Sequence, residues 1–90
     1  MIRVHLFISG KVQCVLFRDS MRRKALRLGV KGFVRNLSDG RVEAIVEGEK
    51  ETVGRLIEWS RRGPLFAKVR EVDTTEERYI KEFDRFTIKY

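Results

Sequence analysis

The chain has 90 residues, 20 Lys plus Arg against 13 Asp plus Glu, and a formal net charge of +7 with its single His neutral; that length predicts one domain over residues 1–90. With 42% hydrophobic and 37% charged residues, it describes one compact core rather than a disordered tract, and its longest apolar runs fall far short of the roughly 18 residues a bilayer demands. No signal-peptide pattern opens the chain, so a cytoplasmic setting is expected, and one Cys with one His makes neither an internal disulfide nor a four-ligand zinc site.

The elements follow from hydrophobic periodicity. Ile2, Val4, Leu6 and Ile8 alternate with Arg3, His5, Phe7 and Ser9, which marks a first strand with one face on the core. From Phe17 the apolar spacing becomes helical, with Phe17, Met21, Ala25 and Leu28 on one stripe and Gly29 as the stop. Val30 to Asn36 reads as a second strand, Ser38-Asp39-Gly40 as a turn, and Val42, Ala44 and Val46 as the inward face of a third strand, so that the two form a hairpin. A second helix begins near Glu49, carries Val53, Leu56, Ile57 and Ser60 roughly on one stripe, places Arg61 and Arg62 in its last turn, and ends before Gly63-Pro64. Ala67 to Thr74 gives a fourth strand. After a polar stretch from Glu76 to Glu82, the alternation of Phe86, Ile88 and Tyr90 predicts a closing strand.

The order, strand-helix-strand-strand-helix-strand plus one strand, suits an α+β ferredoxin-like α/β sandwich (βαββαβ). Its sheet is expected to be antiparallel, with two helices on one face and an extra C-terminal strand. Fold alone says little about activity, since many functions share it.

Charge is uneven along the chain. The first 35 residues hold nine basic side chains against Asp19 alone, and the remainder is close to neutral, so the front of the molecule expects an anionic partner. The link from the first strand to the first helix ends at a helix N-terminus, where unpaired backbone N–H groups and the helix dipole favour an anion. Arg18 sits in that first helical turn, where the dipole disfavours a cation unless an anion lies between its guanidinium and the loop amides. Asn36 ends the second strand beside a turn, a position that by itself reads as turn hydrogen bonding. How close it comes to Arg18 depends on how far each strand runs.

The segment Gly10-Lys11-Val12-Gln13-Cys14-Val15-Leu16-Phe17-Arg18 resembles the first acylphosphatase signature, G-x-V-Q-G-V-x-F-R, at every defined position but one. Gly32-Phe33-Val34-Arg35-Asn36, then Gly40-Arg41-Val42 and Gly48, matches the second signature of that family throughout. The resemblance covers essentially the whole chain. It implies hydrolysis of the mixed anhydride of acyl phosphates to a carboxylate and inorganic phosphate, without a metal or cofactor. It also implies that Arg18 binds the phosphoryl oxygens together with backbone N–H groups of Lys11, Val12, Gln13, Cys14, Val15 and Leu16, while Asn36 orients the attacking water. A monomer with small-molecule partners, acyl phosphate and inorganic phosphate, is expected, with no membrane partner.

The departure is Cys14, where the motif has Gly. Gly in an anion-cradling loop serves a positive φ or a close backbone approach, and a Cβ threatens either. Either position 14 takes a negative φ here, or the cradle is strained and the chain is a weak or inactive phosphate-binding variant. A ferredoxin-like nucleic-acid module is the other alternative, because the net charge is positive and Phe7 and Phe33 are placed to lie on the open sheet face. Against it, no glycine-and-aromatic RNA-binding segment is present and the basic residues gather on the first helix, so nucleic acid is not the expected partner.

Overall fold

The computed structural model describes residues Met1–Tyr90. Seven elements follow in order: β1 (Ile2–Lys11), α1 (Phe17–Leu28), β2 (Lys31–Asn36), β3 (Val42–Gly48), α2 (Lys50–Ser60), β4 (Lys68–Glu77) and β5 (Phe86–Lys89). They build one five-stranded sheet in the order β4-β1-β3-β2-β5. Val4, Leu6 and Ile8 of β1, Val34 of β2 and Val42, Ala44 and Val46 of β3 meet Phe17, Met21 and Ala25 of α1 and Val53 and Leu56 of α2 in one buried cluster. Period two on the strands and period 3.6 on the helices thus converge on the same core.

The expectation of a wholly antiparallel sheet needs correction at one strand. β1, β2, β3 and β4 pair antiparallel, but β5 runs parallel to β2, with Gly32 opposite Phe86 and Arg35 opposite Lys89. Residues 78–85 carry the chain from β4, at one edge, to the other edge along a single end of the sheet. β5 must therefore run opposite to β4, which is the direction of β2. β4 also extends past the predicted Thr74 to Glu77. It is an exposed edge strand whose last residue pairs with Arg3, so it needs no apolar alternation there. Helix α2 ends at Ser60, so Arg61 caps the helix and neither Arg61 nor Arg62 lies in its last turn.

The face of the sheet away from the helices is polar and closed. Arg3, with a side chain only 10% exposed, reaches Glu47 at 3.1 Å, Glu77 at 2.9 Å and Glu82 at 2.8 Å. Burial acts to lower the Arg3 pKa, but the three carboxylates outweigh it and hold the guanidinium above its ordinary value. The two ring nitrogens of His5 face Glu43 at 2.6 Å and Glu77 at 3.3 Å. Glu47 also accepts the N–H groups of Ile80 and Glu82, which ties the 78–85 crossing to the sheet. Phe7 and Phe33 lie on this face as expected, but neither is a free platform. Phe7 is covered by His5 and Arg41, and Phe33 by Phe83 and Lys89.

Candidate active site

The register brings the sequence-predicted residues to one end of the sheet. Ile8 of β1 lies opposite Val42 of β3, and Val42 lies opposite Asn36 of β2. The chain leaves β1 at this end, descends through α1 and returns along β2, so Asn36 arrives level with the loop that follows β1. β5, parallel to β2, delivers Ile88 and Tyr90 to the same end.

A bulge starts the loop. The β1–β4 register shifts between Ser9 and Gly10, and Gly10 has φ +123°. A Cβ there would lie 2.2 Å from the Lys68 carbonyl oxygen, so only glycine fits where the strand bends away from its neighbour. Buried Val12 and Phe17 pin the two ends of the loop to the core, while Cys14 and Leu16 between them are exposed. Both exposed residues have φ +61°, a left-handed conformation that costs a side-chain-bearing residue about 1–2 kcal/mol. The structure gives the sign of φ at Cys14: it is positive, and the thiol-bearing residue is held in a conformation that favours glycine.

This strained path leaves donors without acceptors. The backbone N–H groups of Val12, Gln13, Cys14, Val15 and Leu16 bond to no carbonyl and no side chain, and Leu16, the N-cap of α1, offers no side-chain cap. Free N–H groups therefore run from the loop into the helix terminus, the arrangement that attracts anions. Arg18, in the first turn, has no carboxylate within salt-bridge distance; its guanidinium carbon lies 5.0 Å from the centre of the Tyr90 ring. Asp19 beside it is paired with Arg23 at 3.1 Å. Asn36 Oδ1 is screened from solvent and unpartnered, the one side-chain polar atom of the molecule in that state, and such an atom asks for a ligand or a water.

These groups share a cleft of about 340 Å³, whose walls include Cys14, Leu16, Arg18 and Asn36. The other loop residues sit differently. Lys11 belongs to β1 and faces Lys68, Gln13 turns its side chain to the β2–β3 turn, and Val15 packs on the core. Val12, Phe17 and Asp19 also line the cleft, and so do Ile88 and Tyr90, which were not singled out from the sequence. The only signal they carry is strand alternation; it is the pairing of Val34 with Ile88 that places them here. His5, the sole imidazole, lies on the polar sheet face among Glu43 and Glu77.

Known proteins match the chain over nearly its full length. An acylphosphatase family model matches residues 4–88. An acylphosphatase of Syntrophus aciditrophicus (strain SB) is 52% identical over 90 residues, spanning 100% of this chain and 94% of that protein. The crystal structure of acylphosphatase from Bacillus subtilis superimposes with a TM-score of 0.96 at 33% identity, covering 100% of both chains. An acylphosphatase from Coxiella burnetii gives 0.92 at 39% identity over 98% of this chain and 92% of that one. A relationship this close and this complete places the chain in the acylphosphatase family.

Proposed function

We propose that this acylphosphatase cleaves the carboxyl–phosphate anhydride of acyl phosphates by positioning and charge stabilisation alone, with the unpaired N–H groups of the loop and Arg18 holding the phosphoryl group. The observation that carries the reading is the run of partnerless amides from Val12 to Leu16, beside a guanidinium that has no carboxylate partner. Both are donors to an anion, and charge spread over three phosphoryl oxygens in the transition state is what such donors stabilise. Asn36 orients a water in line with the scissile bond. The water oxygen bonds to phosphorus, the bond from phosphorus to the acyl oxygen breaks, and the acyl oxygen leaves as carboxylate. The water's proton passes to a phosphoryl oxygen of the substrate, since no imidazole lines the cleft and Asp19 is paired with Arg23. The donor set supports a reading without metal, because the loop amides and the Arg18 guanidinium bind anions directly.

We further propose that residues 1–90 act as a single domain, as a monomer and in the cytoplasm. The sheet's edges support the monomer: β4 is exposed and studded with Lys68, Arg70, Glu71, Asp73 and Glu76, and β5 has four residues, both devices that discourage edge-to-edge pairing. An exposed, unpaired Cys14 suits a reducing compartment.

The test is hydrolysis of acetyl phosphate with and without a chelator, and with added inorganic phosphate. Turnover that ignores the chelator and is inhibited by phosphate is the expected result. Phosphate binding without turnover makes the chain a binding variant. Salt-dependent RNA binding with neither makes it a nucleic-acid module.

A further inference from the structure

The two parts of the cleft come from distant segments, the loop Val12–Leu16 after β1 and Asn36 at the end of β2. These strands do not touch, because β3 lies between them. One side chain spans the gap. Gln13 Nε2 donates to the carbonyl oxygens of Leu37, at 2.8 Å, and Arg41, at 2.9 Å, and no other side-chain hydrogen bond joins the loop to the β2–β3 turn. Leu37 directly follows Asn36, so the bond is anchored one residue from the amide that faces the cleft.

The receiving turn is stiff on its own account. Leu37 N–H donates to Arg41 O at 2.8 Å, and Gly40 N–H donates to Leu37 O at 3.2 Å. The Asp39 carboxylate accepts Arg41 N–H at 3.1 Å and Arg41 Nε at 2.9 Å, and the backbone bond foremost holds its pKa below the usual carboxylate range. Gln13 therefore hooks the strained loop to a frame that does not depend on it.

The geometry points to Gln13 as a positioning residue that sets the separation between the phosphoryl-holding loop and Asn36. This inference rests on the hydrolase reading above. Both partners of Gln13 are carbonyl oxygens, so the requirement is for two N–H donors on one atom, which the amide end of Gln supplies and an ionised carboxylate does not. The loop fixes phosphorus, Asn36 fixes the water, and in-line attack needs the two in register. A misplacement of about 1 Å costs about 10²-fold in rate while leaving each half able to hold its own group.

The test compares Gln13→Met, which keeps length and removes both donors, with Gln13→Glu, which sets an acid against two carbonyls. In both, kcat on acetyl phosphate is expected to fall about 10- to 100-fold, while the inhibition constant for inorganic phosphate stays within about threefold because the loop amides remain. The carbonyl dipoles favour the neutral acid, whose O–H can donate, so Gln13→Glu regains several-fold in kcat as the pH falls from about 7 to about 5, and Gln13→Met does not. Fluorescence of Trp59, the only Trp, reports the folded fraction in each assay. Unchanged kcat in both variants, kcat and phosphate affinity falling together, a loss accounted for by unfolding, or no recovery of Gln13→Glu in acid would each overturn the assignment. Absence of turnover in the unsubstituted protein would instead overturn the hydrolase reading.

Discussion

On the polar face of the sheet, Arg3 meets Glu47, Glu77 and Glu82, His5 lies between Glu43 and Glu77, and Glu47 accepts two backbone N–H groups besides. At the end of the same sheet the opposite holds. Five consecutive amides have no acceptor, Asn36 Oδ1 has no donor, Arg18 has only an aromatic ring beside it, and two side-chain-bearing residues sit at positive φ. The first region is built as a buried polar network should be, with each charge compensated, because an unpaired charge there would cost several kcal/mol. The second breaks the same rules in four ways within one cleft. Such concentrated violation persists where a ligand completes the unsatisfied groups, and the rest of the molecule supplies the stability that holds it.

The contrast can be broken at either end. The largest effect is expected from Arg18→Ala and Asn36→Ala, each lowering kcat for acyl phosphate hydrolysis by about 10²–10³, or about 2.7–4 kcal/mol of transition-state stabilisation. The Tm of each should stay within a few degrees of the parent, because neither side chain has a protein hydrogen-bond partner to lose. Turnover near the parental rate in either variant would remove that residue from the mechanism.

Glu47→Ala should behave in the converse way. It strips one partner from buried Arg3 and both bonds from the 78–85 crossing, for about 3 kcal/mol, a value kept low because Glu77 and Glu82 remain. Thermal unfolding should shift down by at least about 12 °C. At temperatures where the variant is folded, kcat should stay close to the parent's, and a stability near that of the parent would show the network to be ornamental.

Cys14→Gly sharpens the comparison at the strained end. Relief of a positive φ, offset by the greater freedom of glycine in the unfolded chain, should stabilise by up to about 1 kcal/mol and raise the hydrolysis rate. A slower or less stable variant would mean that the thiol contributes something its conformation does not reveal.

The smallest effect at neutral pH is the titration of the polar face. For Glu43, burial raises the pKa, but the His5 and Arg35 hydrogen bonds outweigh it; for Glu77 the Arg3 hydrogen bond dominates. Both carboxyls therefore titrate below their ordinary value. A depressed folded-state pKa gives stability that is present above the unfolded value of about 4.3 and is lost as pH falls through the folded one. Tm should accordingly be flat from neutral pH down to about 5 and fall below about 4, and Glu43→Gln should flatten that fall. An acid response that the substitution leaves unchanged would place its origin elsewhere.

The sequence by itself determined much of this protein. Alternation in Ile2–Ile8 and Val42–Val46, helical spacing from Phe17 and from Val53, and the stop at Gly29 marked the elements, because each reports a local period that the core must match. The two motifs likewise named Arg18, Asn36 and the loop before either could be seen. Pairing partners were out of reach. That β5 lies parallel to β2 and brings Ile88 and Tyr90 into the cleft is set by where residues 78–85 cross the sheet, a long-range outcome with no local period. The sign of φ at Cys14, the closed polar face that covers Phe7 and Phe33, and the reach of Gln13 to Leu37 and Arg41 are of the same kind. Each depends on which backbone lies opposite, and that is decided only when β3 settles between β1 and β2 and brings Ile8, Val42 and Asn36 into one row.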